Sequence, residues 1–176
     1  MMTVLETPRL TLRLFVMDDI PAYARIRSDP DVVRYLPGGA EAAADSEAIA
    51  AARIPDFIQH WREHGFGLWA VIERDSNRLI GHCGLLRLSD FDAVEVLYML
   101  DRAAWGRGYA TEAARASMDY GFRTVGLDRI IALVLPENRA SARVIRKLGM
   151  TPIGNRRFKN LDVAVYERLA PHKETR

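Results

Sequence analysis

The chain has 176 residues, 49% of them hydrophobic and 27% charged, a length and balance that suit one soluble globular domain over 1–176. A formal net charge of +2 with no long basic run argues against direct nucleic-acid binding. No apolar run is long enough to span a bilayer and no signal-peptide pattern opens the chain, while a lone cysteine, Cys83, excludes an internal disulfide and fits a reducing cytoplasm.

The first element is a strand over Thr7 to Leu14, where leucines alternate with polar residues at period two. Asp18 and Asp19 stand where an N-cap belongs, ahead of a helix over Ile20 to Arg27. Pro30, Pro37 and the pair Gly38-Gly39 break the chain, and a second helical region within Glu41 to Glu63 is interrupted at Pro55. Phe57 and Trp61, four apart, share a face of it and read as core packing, with the wall of a substrate pocket as the alternative. His60 and His64 have the helical spacing of zinc ligands, but Trp61 follows His60 where H-E-x-x-H needs Glu, so no metal is expected.

Three strands come next, Gly67 to Glu73, Arg78 to Leu88 and Val94 to Leu100, and their short connections predict an antiparallel meander. Gly81 and Gly84 weaken the middle strand and mark candidate bulges; His82 and Cys83 point to opposite faces and read as packing residues. A helix follows from Thr111, a candidate N-cap, to Gly126, a candidate C′ residue. Its apolar stripe is Ala110, Ala114, Met118, Phe122 and Val125. Arg129 to Leu135 reads as a buried strand, and strand, crossover helix, strand implies that it runs parallel to Val94–Leu100. A helix over Asn138 to Leu148 buries Ser141, Val144, Ile145 and Leu148, and two strands near Thr151 to Phe158 and Val163 to Leu169 end the chain.

Between the third meander strand and its helix lies Trp105-Gly106-Arg107-Gly108-Tyr109-Ala110-Thr111-Glu112. Glycines permit positive φ and close approach to the main chain, and a helix start presents unpaired N–H groups at the positive end of its dipole. Such a turn favours a phosphate, although a ligand-free tight turn is an equally ordinary reading. It is not a P-loop, because no Gly-Lys-Ser/Thr occurs, nor a dinucleotide fingerprint, because Thr111 stands where the third glycine belongs.

The segment resembles the pyrophosphate loop of the GCN5-related N-acetyltransferases (GNAT), written Gln/Arg-x-x-Gly-x-Gly/Ala. Trp105 replaces the usual Gln or Arg, a departure shared by the Rim-type ribosomal-protein acetyltransferases. Thr7-Pro8-Arg9-Leu10-x-Leu12-Arg13 and the separated pair Asn138-x-x-Ser141 and Lys147-Leu148-Gly149-Met150 resemble further motifs of that branch. The resemblance implies the GNAT α+β fold: a mixed, mostly antiparallel sheet splayed at a central parallel pair, with helices on both faces.

It also implies acetyl-CoA as co-substrate and an amine-bearing acceptor as partner, a protein N-terminus or a small molecule, with a homodimer left open. Main-chain N–H groups of Arg107, Gly108, Tyr109, Ala110 and Thr111 would hold the pyrophosphate, and those of Tyr98, Met99 and Leu100 the pantetheine arm. One of the latter could face the developing oxyanion. Glu95 is the candidate proton acceptor, with an exposed strand carboxylate as the alternative reading; Asp101 is a weaker candidate. Many relatives protonate the leaving sulfur with a tyrosine on the helix after Asn138. No tyrosine lies between Tyr120 and Tyr166, so that role falls to Ser141, while Asn138 would cap its helix and bind the pantetheine amide. Arg143, Arg146 and Lys147 could reach the 3′-phosphate or simply form a solvated face. Two other functions remain to be weighed, a non-catalytic acyl-CoA-binding module and a phosphate-loop nucleotide binder.

Overall fold

A computed structural model describes residues 3–171, so His172 lies outside the described residues. Strands β1 (Leu5–Glu6), β2 (Leu10–Arg13), β3 (Leu68–Glu73), β4 (Arg78–Leu88), β5 (Ala93–Leu100), β6 (Arg129–Val134), β7 (Thr151–Phe158) and β8 (Leu161–Leu169) form one sheet in the order β1-β2-β3-β4-β5-β6-β8-β7. Every junction is antiparallel except β5–β6, which is parallel as the crossover through α4 (Tyr109–Tyr120) requires. The remaining helices are α1 (Ile20–Arg27), α2 (Pro30–Val33), α3 (Ser46–His64) and α5 (Arg139–Lys147). This is the α+β architecture expected. Among the described residues no helix is long and apolar enough to cross a membrane.

Four local expectations are corrected. The first strand is a hairpin, because Thr7 turns the chain: its N–H donates to the Leu10 carbonyl and its Oγ1 accepts from the Leu10 N–H. Helix α3 runs through Pro55 unbroken. A proline inside a helix costs about 3 kcal/mol, and here the buried face of Ala50, Ile54, Phe57 and Trp61 offsets it. Helix α4 starts at Tyr109 with Gly108 as N-cap, two residues before the expected start, since Gly108 at φ +80° supplies the break that Thr111 was expected to make. Strand β8 starts at Leu161, because Lys159 and Asn160, both at positive φ, close the β7–β8 hairpin in two residues.

The sheet carries one core on each face. Under α4 and α5 lie Leu10, Leu12, Trp69, Cys83, Leu85, Val94, Val96, Met118 and Ile145. Under α1 and α3 lie Phe15, Tyr23, Ile54, Phe57, Leu68, Leu79 and Met99. Phe57 and Trp61 are packing residues: Phe57 rests on Phe15 and Tyr23, and Trp61 packs on Trp69 with its indole N–H on the Leu68 carbonyl. His82 and Cys83 divide between the faces as predicted, His82 bonding the Tyr23 hydroxyl at 2.9 Å and Cys83 lying 3.6 Å from Ser117 Oγ. Gly81 sits at a bulge, where the β3–β4 register slips by one residue and a Cβ would lie 2.0 Å from the Met99 carbonyl. Gly84 marks no bulge but a close approach to Gly67.

Candidate active site

The turn before α4 is built from two glycines at positive φ, Gly106 at +74° and Gly108 at +80°. The first intrahelical bond runs from the Glu112 N–H to the Gly108 carbonyl, so the N–H groups of Tyr109, Ala110 and Thr111 have no acceptor within the helix. Three unpaired donors thus lie at the positive end of a 12-residue helix, an arrangement suited to an anion.

Side chains brace this turn from two directions. The Glu112 carboxylate accepts from Thr7 Oγ1 at 2.7 Å, from the Arg9 N–H at 3.0 Å and from Arg9 Nε at 2.7 Å. Arg9 also donates to the Arg107 carbonyl at 2.8 Å, tying the β1–β2 turn to the loop. On the other side Glu73, at the end of β3, accepts from Arg107 Nη1 at 2.6 Å and from the Tyr109 hydroxyl at 2.8 Å. The Ser76 hydroxyl, the Tyr109 hydroxyl and Arg107 hold the Glu73 carboxyl below its ordinary range. The Tyr109 hydroxyl is thereby committed to Glu73, as is Nη1 of Arg107. Trp105, standing where relatives carry Gln or Arg, pins the loop to β5 through its indole N–H, 2.9 Å from the Leu100 carbonyl.

Beside the loop the sheet opens. Strands β5 and β6 register at Glu95 with Ile131 and no further, whereas β5 stays paired to β4 along its whole length. Tyr98, Met99 and Leu100 thus lie beyond the last rung, on the side where β6 has departed. Helix α5 borders the opening: Asn138 caps it by accepting from the Ser141 N–H at 3.0 Å, which sets Ser141 in the first turn. The Ser141 hydroxyl lies 2.8 Å from the hydroxyl of Tyr98.

Glu95 takes the opposite face, since side chains alternate along β5 and Tyr98 is an odd number of residues away. It is half-buried, and burial pushes its carboxyl up to about 7, with the Leu133 N–H and the Lys159 ammonium pulling the other way. Lys159 comes close because the β7–β8 hairpin folds back across the sheet. Its tip lies past the end of β6 in register, yet Phe158 meets Phe91, before the start of β5, with ring centroids 5.5 Å apart. Asp101 is a turn residue, its carboxylate accepting from the Ala103 N–H at 3.1 Å.

Of Arg139, Arg143, Arg146 and Lys147, the four cations on α5, only Lys147 borders an open groove of about 550 Å³ that begins at Gly108 and Thr111 and runs past Glu112 and Arg115. Arg146 is turned back onto the Ala142 carbonyl at 3.1 Å. His60 is engaged at both ring nitrogens, by the Phe66 carbonyl at 2.8 Å and the Arg87 N–H at 3.3 Å. The residues that sequence reasoning missed are the Tyr98 side chain, Glu73, Arg9 and Glu112. Arg9 and Glu112 both stand inside quoted motifs, but 103 residues separate them and nothing local signals that they meet.

A phosphate-type loop at a helix start, a sheet splayed beside it and a carboxylate poised near neutrality define an acyl-CoA N-acyltransferase architecture. The pattern of the Acetyltransferase (GNAT) domain matches residues 9–151. The chain is 34% identical over 146 residues to the Bacillus subtilis N-acetyltransferase YnaD, covering 83% of this chain and 81% of that protein. An acetyltransferase structure from Agrobacterium tumefaciens superposes with a TM-score of 0.80 at 30% identity, covering 96% of this chain and 95% of the other. RimL, a ribosomal L7/L12 alpha-N-protein acetyltransferase solved with coenzyme A, shares the fold at a TM-score of 0.79 and 17% identity, over 95% of this chain and 98% of its own. The chain belongs to the GNAT acetyltransferase family and is an N-acetyltransferase.

Proposed function

We propose that the protein transfers an acetyl group from acetyl-CoA directly to a primary amine, within a ternary complex. The observation that carries this reading is that Glu95 and Ser141 flank one opening in the sheet from opposite faces, beside an anion-binding turn. A donor entering along α4 and α5 and an acceptor entering over α1 and α3 would meet there. The coenzyme A held by the fold neighbour RimL supports the same donor.

Each chain residue then has a task. N–H groups of Arg107 to Thr111 hold the pyrophosphate, each hydrogen bond to a charged acceptor contributing about 1.5–3 kcal/mol. Unpaired main-chain groups of Tyr98, Met99 and Leu100 take the pantetheine arm, the Leu100 carbonyl excepted, since Trp105 holds it. Asn138 sets the start of α5 beside that arm, and Lys147 and Arg115 face the groove where the 3′-phosphate would lie. Glu95, with a pKa near neutrality, accepts the proton an ammonium acceptor must lose before its lone pair can attack. Ser141 gives a hydrogen bond to the departing sulfur. Cys83 takes no part: burial holds its thiol protonated, with a pKa pushed up to about 12.

The test is turnover of acetyl-CoA against N-terminal peptides, polyamines, amino acids and aminoglycosides, followed by free thiol release. Thermal stabilisation by acetyl-CoA and not by ATP is the expected companion result. Binding of acetyl-CoA without thiol release from any amine would favour a non-catalytic module instead.

A further inference from the structure

The hydroxyl of Ser141, half-buried at the start of α5, is arranged unlike that of the fully buried Ser117. Ser117, in the middle of α4, satisfies its hydroxyl on its own helix, donating to the Ala113 carbonyl at 2.9 Å. That back-bond to the carbonyl four residues earlier is the ordinary resting place for a helical serine. Ser141, in the first turn of α5, has no carbonyl of its own helix four residues back, and its hydroxyl partner is Tyr98, at 2.8 Å.

Either hydroxyl can donate across that contact. The Tyr98 hydroxyl also lies 3.4 Å from the Ser141 carbonyl, and a carbonyl can only accept. The phenolic hydrogen can go to either Ser141 oxygen, and the shorter contact, 2.8 Å against 3.4 Å, is to Oγ. When the phenol donates to Oγ, the serine's own hydrogen is free for another acceptor. Burial raises the pKa of the Tyr98 phenol above its ordinary value, so it remains a donor throughout the neutral range. A hydroxyl that accepts a hydrogen bond becomes a stronger donor, because hydrogen bonds in a chain polarise one another.

We propose that Tyr98 is a positioning residue for Ser141: its phenol donates to Ser141 Oγ, turning the serine's hydrogen toward the leaving sulfur and strengthening it as a donor. This rests on the acetyl-transfer reading above. In the step itself the amine nitrogen forms the C–N bond and loses one proton, the C–S electron pair passes to sulfur, and the thiolate takes one proton and leaves as a thiol. Ser141 donates to that sulfur and regains its proton from water; Tyr98 keeps its own. The arrangement replaces a tyrosine on α5 with a tyrosine on β5 acting through a serine.

Tyr98→Phe keeps the ring and removes the oxygen. The experiment titrates the thiol of bound coenzyme A by its ultraviolet thiolate absorbance in wild type, Tyr98→Phe, Ser141→Ala and the double variant, and measures kcat with any acceptor found. A donor to the sulfur stabilises the thiolate, so the bound thiol should titrate about one pH unit higher in all three variants alike. Turnover should fall about tenfold or more in each, with coenzyme A affinity within about twofold of wild type and no further loss in the double variant. An unchanged thiol titration in Tyr98→Phe overturns the proposal, as does a double variant whose loss is the sum of the two single losses. A loss confined to coenzyme A affinity would place Tyr98 in cofactor binding instead. Failure of wild type to bind coenzyme A at all would overturn the acetyl-transfer reading, and this proposal with it.

Discussion

Replacing Glu95 with glutamine separates a buried bystander from a working base. Burial lifts the carboxyl from 4.5 to about 7, so the fold favours the protonated form. At about 1.4 kcal/mol per pH unit that gap amounts to about 3 kcal/mol. Water reaches the half-buried group, which lowers the expected effect to about 1–2 kcal/mol. The sign follows from linkage: a folded-state pKa above the unfolded one means stability present below about 4.5 and lost as pH rises through about 7. Glutamine does not titrate, so Glu95→Gln should equal wild type near pH 4.5 and be more stable at pH 8, by about 3–6 °C in melting temperature. Thermal unfolding across pH 4.5–8 reads this directly. In kinetics the wild-type kcat/KM should rise with pH and level off above about 7, whereas the glutamine variant should be flat and about 100-fold or more slower. A melting-temperature gap that does not grow with pH would show that the carboxyl is not held protonated. An intact rate with its rising limb near pH 7 would assign the base elsewhere.

Gly108→Val places a branched side chain at φ +80° and beside the proposed anion seat; it should cost about 1–2 kcal/mol in stability yet leave a folded protein that no longer binds acetyl-CoA in calorimetry. Unchanged affinity there would sink the phosphate-loop assignment. Cys83→Ala should keep most activity, because the thiol is buried and protonated; mass spectrometry showing an acetyl group formed and discharged at Cys83 at catalytic rates would contradict direct transfer. Glu112→Ala strips three hydrogen bonds from Thr7 and Arg9 and should weaken acetyl-CoA binding about tenfold through a loosened loop; affinity equal to wild type would reduce the brace to a stability feature.

What the sequence determined by itself is whatever depends on neighbours along the chain. Period-two leucines, the glycine-rich turn, the Asn138 cap and the strand–helix–strand order each report a local geometry, and so the meander, the parallel pair and the glycine turn into α4 were legible before any coordinates. Local rules failed where distant packing overrode them. Pro55 signals a break, but the buried face of α3 holds the helix together across it. Thr111 is the better N-cap residue by chemistry, but Gly108 can take the positive φ at which the chain enters α4. Only the tertiary structure decided who meets whom at the site. The order β6-β8-β7 lets the closing hairpin bring Phe158 against Phe91. The same fold brings Arg9 to Glu112 across 103 residues and Tyr98 to Ser141 across 43. A pairing between remote segments costs chain entropy that only the whole packed core offsets. No window of sequence short enough to read by periodicity contains that balance.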